Sequence, residues 1–552
     1  MKAPRTSEAV LRERSGALID SVCYVVLTIL VWGISALRRG MWQDDVQALG
    51  TAVERSRRSF FTLFRPDASP LRRLTVLPSA LANATPYPVE ALQILSAGTW
   101  LAIGLLAGWI VSLLFPGRRW TRFVVVCLTL TATSDYQTAS MVPLAYNVAA
   151  AALLAAIGCA LLWLRRGGRR ALVLSAVLLA SSLLTMDVAI PAMPFALVLF
   201  VQVSGWRPAK NLIWLLGAWA AVLIPIAIVE WSFLHDPSSY AAIAMLPLSL
   251  HAFAHRTIKL WIENFEPWRW AFARPEWYPR PPAAISTAWR AFGSLVAVVV
   301  FWLRLRQKKD DGGRGSQIFL VLLFVAMTVA ANAAYAGIQM SDIHYRTHIL
   351  SRVWASAAIG ILAGWLMERR PGMRLAGLTL ASAFVFFGTW GGIERQDLYL
   401  ATWRQHQREL ASILTAAPSL RPGTRVILRS DATPDRYLAT EADYLTTHWL
   451  RLLYDAPFLL SLRVAPDRGT RCSAVASGLE CRGERGESYH FRYEEMVVMD
   501  YDHGSGTYRL VRSLNGDPFS RGHEAGAALY RPEDRIINRP WTVRQRRLLL
   551  LR

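Results

Sequence analysis

The chain has 552 residues, of which 53% are hydrophobic, and a positive mean hydropathy of +0.27, a balance too apolar for a soluble globular protein of this length. Its 61 Lys and Arg against 39 Asp and Glu leave a formal charge of +22. Those cations fall in short clusters between apolar runs, a pattern that points away from nucleic acid and towards a membrane protein oriented by its basic loops.

The N-terminal segment carries Lys2, Arg5, Arg12 and Arg14, and residues 17–37 follow as an apolar stretch of about 20 residues, long enough to cross a bilayer. No small-x-small cleavage site follows it, so it reads as a retained first helix. Further runs of spanning length lie at about 91–115, 122–134, 141–164, 171–186, 188–205, 211–234, 286–305, 317–338, 347–367 and 374–393, which predicts about eleven spans. Alternate connections are basic: Arg118, Arg119 and Arg122; Arg165, Arg166, Arg169 and Arg170; Arg207 and Lys210; the stretch 304–314; and Arg369, Arg370 and Arg374. The intervening short loops carry almost no cations, so the N-terminus is expected in the cytoplasm of a cell (inner or plasma) membrane protein and the residues after Ile393 outside it. The expected division is a transmembrane region over 1–395, with long outer loops at about 38–90 and 235–285, and an extracytoplasmic α/β domain over 396–552.

The first outer loop opens RRGMWQDDVQALG, placing Asp44 and Asp45 just beyond the first span. Val46, Leu49, Val53, Phe60 and Phe64 then recur at helical spacing with Glu54, Arg55, Arg57 and Arg58 between them, which predicts an amphipathic helix in the membrane interface. One acid suffices to cap that helix; a pair is a candidate for chemistry. Asp135 sits in the short outer loop SDYQ, where it is either a solvated loop acid or a neighbour of the first pair. The second long loop holds IENFEPWRWAFARPEWYPRPP, an interfacial aromatic belt or a platform for sugar and lipid.

In SDIHYRTHILSR, His344, His348 and Arg352 recur every fourth residue, forming one stripe on a helix. An ionisable residue inside a span is costly, so Arg352 is a functional candidate, whereas Arg346 lies nearer the interface. Two histidines at that spacing are able to hold a divalent metal, but no third ligand accompanies them. Beyond the last span, LYLATWRQHQRELASIL reads as a helix, RVILR as a strand, and YHFRYEEMVVMDYD and GTYRLVRSL as hairpin strands around Asp502–Gly506. Cys472 and Cys481 flank a short stretch there and fit a disulfide-closed hairpin in an oxidising compartment. Cys23, Cys127 and Cys159 lie inside apolar runs as small hydrophobes.

Together, the acidic pair after the first span, the amphipathic outer loop, the basic N-in topology, the span count and the outer C-terminal domain resemble the C-type (GT-C) glycosyltransferases, which include the protein O-mannosyltransferases and lipid A aminoarabinose transferases. LLTMDVAIPAMP at 183–194 looks like that family's Thr-Lys-Glu-then-Pro segment, with Met186 and Asp187 in place of Lys and Glu. ILSRVWASAAIGIL at 349–362 looks like its Ser-Arg-Tyr segment, with Val353 where the aromatic stands. The resemblance covers about 1–395. It implies an all-α polytopic bundle and inverting transfer of a sugar from a polyprenyl-phosphate donor to a glycan, lipid or protein acceptor at the outer membrane face. Asp44 or Asp45 would be the base with Asp135 in support, and Arg352, His348, Arg346 and His344 would face the donor phosphate. That chemistry need not use a soluble nucleotide, in keeping with the absence of a Gly-rich phosphate loop, and a divalent metal ion stays open as a cofactor. The rival readings are a polysaccharide polymerase or ligase and a non-enzymatic lipid or solute transporter, the latter without the internal symmetry such proteins carry.

Overall fold

A computed structural model describes residues 7–41, 44–65, 70–133, 144–186, 190, 193–204, 210–234, 249–272, 285–306, 317–336, 348–430, 439, 443–457, 459–464, 471–483, 488–515, 517 and 523–551. In chain order the helices are α1 (Ser7–Thr28), α2 (Asp44–Arg58), α3 (Leu77–Asn83), α4 (Pro88–Leu114), α5 (Arg119–Thr131), α6 (Leu144–Arg166), α7 (Arg169–Thr185), α8 (Met193–Ser204), α9 (Lys210–Leu234), α10 (Leu250–Glu263), α11 (Pro267–Phe272), α12 (Ile285–Arg306), α13 (Gln317–Ala336), α14 (Ile349–Met367), α15 (Pro371–Ala416), α16 (Asp443–Leu453), α17 (Glu524–Ala527) and α18 (Val543–Leu548). The strands are β1 (Arg425–Ser430), β2 (Leu460–Val464), β3 (Arg471–Val475), β4 (Gly478–Arg482), β5 (Ser488–Arg492), β6 (Met496–Asp502) and β7 (Thr507–Leu510).

Among the described residues seven helices are long and apolar enough to cross a membrane, within α1, α4, α6, α9, α12, α14 and α15, as in a multi-pass membrane protein. The four other expected runs are helical as well: α13 has 20 residues, apolar over Gln317–Ala333, but α5, α7 and α8 have 13, 17 and 12 residues. At 1.5 Å per residue these reach about 18–26 Å, short of the ~30 Å hydrocarbon core. Among the described residues, length and apolarity together thus support seven of the eleven expected spans.

The chain forms two compact units: Met1–Ala36, Phe64–Thr75 and Gln93–Leu398 make the first, and Leu37–Leu63, Val76–Leu92 and Tyr399–Arg552 the second. In the first unit α14 is the central helix, with 83% of its apolar window buried against 17% for α9. Ile213, Trp214, Ile224, Ile228 and Trp231 of α9 are exposed, the surface a lipid-facing helix presents. Close approach fixes α14 against α5. A Cβ added at Gly360 would meet Val125 Cγ2 at 2.5 Å, and one at Gly364 would meet Thr121 Oγ1 at 2.5 Å, so the small-xxx-small stripe lets the two backbones touch. The pair runs antiparallel, and at its far end Arg118 donates to Glu368 Oε2 at 2.7 Å. Ser175 and Ser182 of α7 donate to the carbonyls of Ala156 and Ala149 on α6 at 2.8 and 2.7 Å, satisfying polar groups inside an apolar bundle.

In the second unit a four-stranded sheet has the order β2-β1-β6-β7. β1 runs parallel to β2 and β6, and β7 is antiparallel to β6. A second sheet, β3-β4-β5, is antiparallel, and Cys472 and Cys481 stand directly opposite each other on β3 and β4, joined as a disulfide. The segment read as one strand from Tyr489 to Asp502 is broken by a tight helical turn at Tyr493–Glu495, which sends β5 and β6 to different sheets. Helix α2 also departs from expectation. Val46 and Leu49 are fully buried and Val53 nearly so, and α2 packs on α16, where a Cβ at Gly50 would meet His448 Nδ1 at 2.7 Å. The apolar face is covered by protein, while Phe60 and Phe61, just past the helix, remain 65% and 79% exposed.

Candidate functional site

The acidic pair opens α2, in the first turn where carboxylates complement the positive end of the helix dipole. The side chain of Asp44 lies outside the described residues, as do Asp135, His344 and Arg346 and most of the long loop 235–285. Asp45 is 3% exposed, and Arg39, five residues on the other side of the turn into α2, is 1% exposed. Burial pushes the Arg39 guanidinium down to about 10, against the opposing pull of Tyr399 and Asp45. The Asp45 carboxylate thus lies within the field of a buried cation. Nearby in the same unit, Trp403 stacks on Trp449 at 6.0 Å and meets His406 edge-on at 6.4 Å, and Glu409 accepts from the Ala439 amide at 2.8 Å.

In the first unit, His348 is the N-cap of α14 and Arg352 lies one turn on, both 1% exposed. The Arg352 guanidinium donates through Nη1 to the carbonyl of Ala132 at 3.2 Å and lies 5.2 Å from the Trp100 ring. Ala132 is the C-cap of α5, so the cation sits at the negative end of that helix dipole. Trp100 is oriented by a bond from its indole to the carbonyl of Leu130 at 2.9 Å and stacks on Trp32 at 6.0 Å.

One residue further along, the Thr133 hydroxyl lies within reach of the carbonyls of Trp270 (3.0 Å) and Gly388 (2.7 Å). The Trp270 carbonyl also accepts from Arg395 Nη1 at 3.1 Å. Of the two buried arginines, Arg352 from α14 therefore anchors on the Ala132 carbonyl at the end of α5, and Arg395 from α15 on the Trp270 carbonyl, which the Thr133 hydroxyl shares. Beside them on α15, Glu394 and Asp397 lie 3.9 and 3.7 Å from the buried Arg290 of α12. Gln396 receives the Ser35 amide at 3.2 Å and donates to the Leu30 carbonyl at 2.8 Å, fixing the end of the first span.

In the first unit Arg352 and Arg395 are both buried and both bonded to backbone carbonyls near the end of α5. The sequence reading included Arg352 and His348 but not Arg395, Arg290 or Arg39. The signal was present as GGIERQD, four polar residues in succession inside what the structure makes one continuous helix; cutting the apolar run at 393 assigned them to the tail. Trp270, read as part of an interfacial belt, is fully buried, while Trp268 is 50% exposed. Among the described residues no three His, Cys, Asp or Glu side chains are grouped to hold a metal. Set against known protein families and against curated proteins, the sequence finds no match.

Proposed function

We propose that this chain is a membrane glycosyltransferase of the GT-C type, which moves a sugar from a polyprenyl-phosphate donor to an acceptor hydroxyl or amine at the outer face of the cell membrane. The observation that carries the reading is the pair of buried arginines, Arg352 and Arg395, set in long helices and held on the carbonyls of Ala132, which ends α5, and of Trp270, to which the next residue Thr133 is also bonded. An arginine kept inside an apolar bundle is costly, and phosphate binding is a use that repays it. In this mechanism the arginines, with His348, and with His344 and Arg346 from the preceding segment, stabilise the charge that develops on the departing polyprenyl phosphate. Asp44 or Asp45 takes the acceptor proton, with Asp135 in support, as the acceptor oxygen or nitrogen attacks the anomeric carbon from the face opposite the phosphate. The N-terminus and the basic loops lie in the cytoplasm and the C-terminal domain lies outside, where the Cys472–Cys481 bond agrees with an oxidising compartment.

The test is release of polyprenyl phosphate from synthetic decaprenyl-phosphate pentoses and hexoses by protein in nanodiscs. Loss of a general base lowers the rate by about 10²–10⁴, whereas loss of a helix-terminal interaction costs about 1 kcal/mol of stability and leaves activity in the folded fraction. Asp44→Asn or Asp45→Asn is expected to show the former at normal membrane level. Because Asp45 also acts on buried Arg39, the Arg39→Met/Asp45→Asn pair restores charge balance and separates misfolding from lost catalysis. Wild-type transfer by both asparagine variants, singly and together, would remove the carboxylates from the mechanism.

A further inference from the structure

The end of α15 and the C-terminal segment of the chain build a groove in the second unit that no step above uses. Past Ala416 the chain pairs with residues 535–537: Leu420 bridges Ile536, the Ile537 amide donates to the Ser419 carbonyl at 2.9 Å, and the Arg421 amide to the Arg535 carbonyl at 2.9 Å. Four residues on, Thr542 caps α18 in a reciprocal capping box with Gln545, whose amide also donates to the Pro418 carbonyl at 3.3 Å. Between these two anchor points Asn538, Arg539, Pro540 and Trp541, with Thr415 and Pro418, line a shallow groove of about 540 Å³ that is wide open to solvent. Both walls are fixed by bonds to one another, so little order remains to be lost on binding.

The lining has one aromatic plane, two proline rings, an amide, a guanidinium and a hydroxyl, and no carboxylate. Indole and pyrrolidine faces pack against the C–H faces of a pyranose ring, the Asn538 amide and Thr415 hydroxyl match sugar hydroxyls, and the Arg539 fork matches a carboxylate. The surrounding segment 531–551 carries six arginines against two acids. We propose that this groove binds an acidic saccharide, a chain bearing uronate-type carboxylates. An aromatic and basic groove also suits single-stranded nucleic acid, but the disulfide in the same unit belongs to an oxidising compartment, which favours a glycan. Calling that saccharide the acceptor rests on the glycosyltransferase reading; the binding does not.

The experiment measures binding of hexagalacturonate, maltohexaose and oligouridylate of matched length to full-length protein in nanodiscs by biolayer interferometry. Hexagalacturonate is expected to bind best. Trp541→Ala should weaken it roughly tenfold, Trp541→Phe should restore most of that loss, and Arg539→Ala should erase the preference over maltohexaose. Arg509→Ala, at a 70% exposed arginine on β7, should change nothing. No saccharide binding by the wild type, equal or tighter binding of oligouridylate, or unchanged binding in both Trp541→Ala and Arg539→Ala would overturn the proposal. Saccharide binding without sugar transfer would leave the groove standing and remove the transferase reading; transfer without saccharide binding would do the reverse.

Discussion

His448 sits where α16 meets Gly50 of α2, and burial, reinforced by the Arg451 cation, pushes its imidazole from the ordinary value of 6.5 down to about 4. The unfolded chain takes up a proton near pH 6.5 that the folded unit refuses until about pH 4. The unfolded state therefore binds more protons across that window, and stability is fully present above pH 6.5 and falls as the pH drops towards 4. At about 1.4 kcal/mol per pH unit the gap is worth at most about 3 kcal/mol. Hydrogen exchange of intact protein in nanodiscs, followed on peptides 44–58 and 443–453 and corrected for intrinsic rates, reads this directly. The opening free energy of both peptides should fall between pH 6.5 and 4.5 in the wild type and stay nearly flat in His448→Gln. Glu54, which pairs with Arg451 and Arg58, is present in both proteins, so the difference between them isolates His448. The same pH dependence in the variant would refute the assignment of that loss to His448.

Three further outcomes are expected. Gly360→Leu should lower the yield of monodisperse protein, because its side chain meets Val125 at under 3 Å and overpacking of this kind costs about 1–3 kcal/mol or more; Gly372→Leu, with open space around it, should behave as wild type in fluorescence-detected size exclusion. Protein isolated without reductant should show Cys472 and Cys481 as a linked peptide by mass spectrometry, and Cys472→Ser should cost about 2–3 kcal/mol for a loop of this size; free alkylation of both thiols would contradict the bond. Alkaline phosphatase fused after Ala416 should be active, and activity of a cytoplasmic reporter at that point would reverse the proposed orientation.

Helices were legible wherever an apolar run was long, because burying backbone in lipid leaves the helix as the economical choice. What a run cannot state is whether its helix reaches across the membrane or stops after 13 residues, as α5 does at Ala132. The strands β1, β6 and β7 followed from alternation, but the parallel pairing of β1 with β6 joins residues such as Val426 and Val497, and no local pattern encodes a partner so distant. Arg352 announced itself as a charge in an apolar run. Arg395 did not, since a cluster at the edge of such a run reads equally as its end. Amphipathicity disclosed that α2 buries one face; it carries no information on whether lipid or α16 covers it.

That last point bears on how the protein is made. The bond between Arg57 on α2 and the carbonyl of Asp455, just past α16, joins residues 398 apart in sequence. At about 5–20 residues per second of synthesis, α2 emerges some 20–80 s before its partner exists. During that interval Val46, Leu49 and Val53 have no α16 to rest on, and the bilayer surface is the apolar phase at hand for an amphipathic helix with a basic flank. The packing of α2 in the second unit is thus completed only once residues 443–453 have been made, late in synthesis.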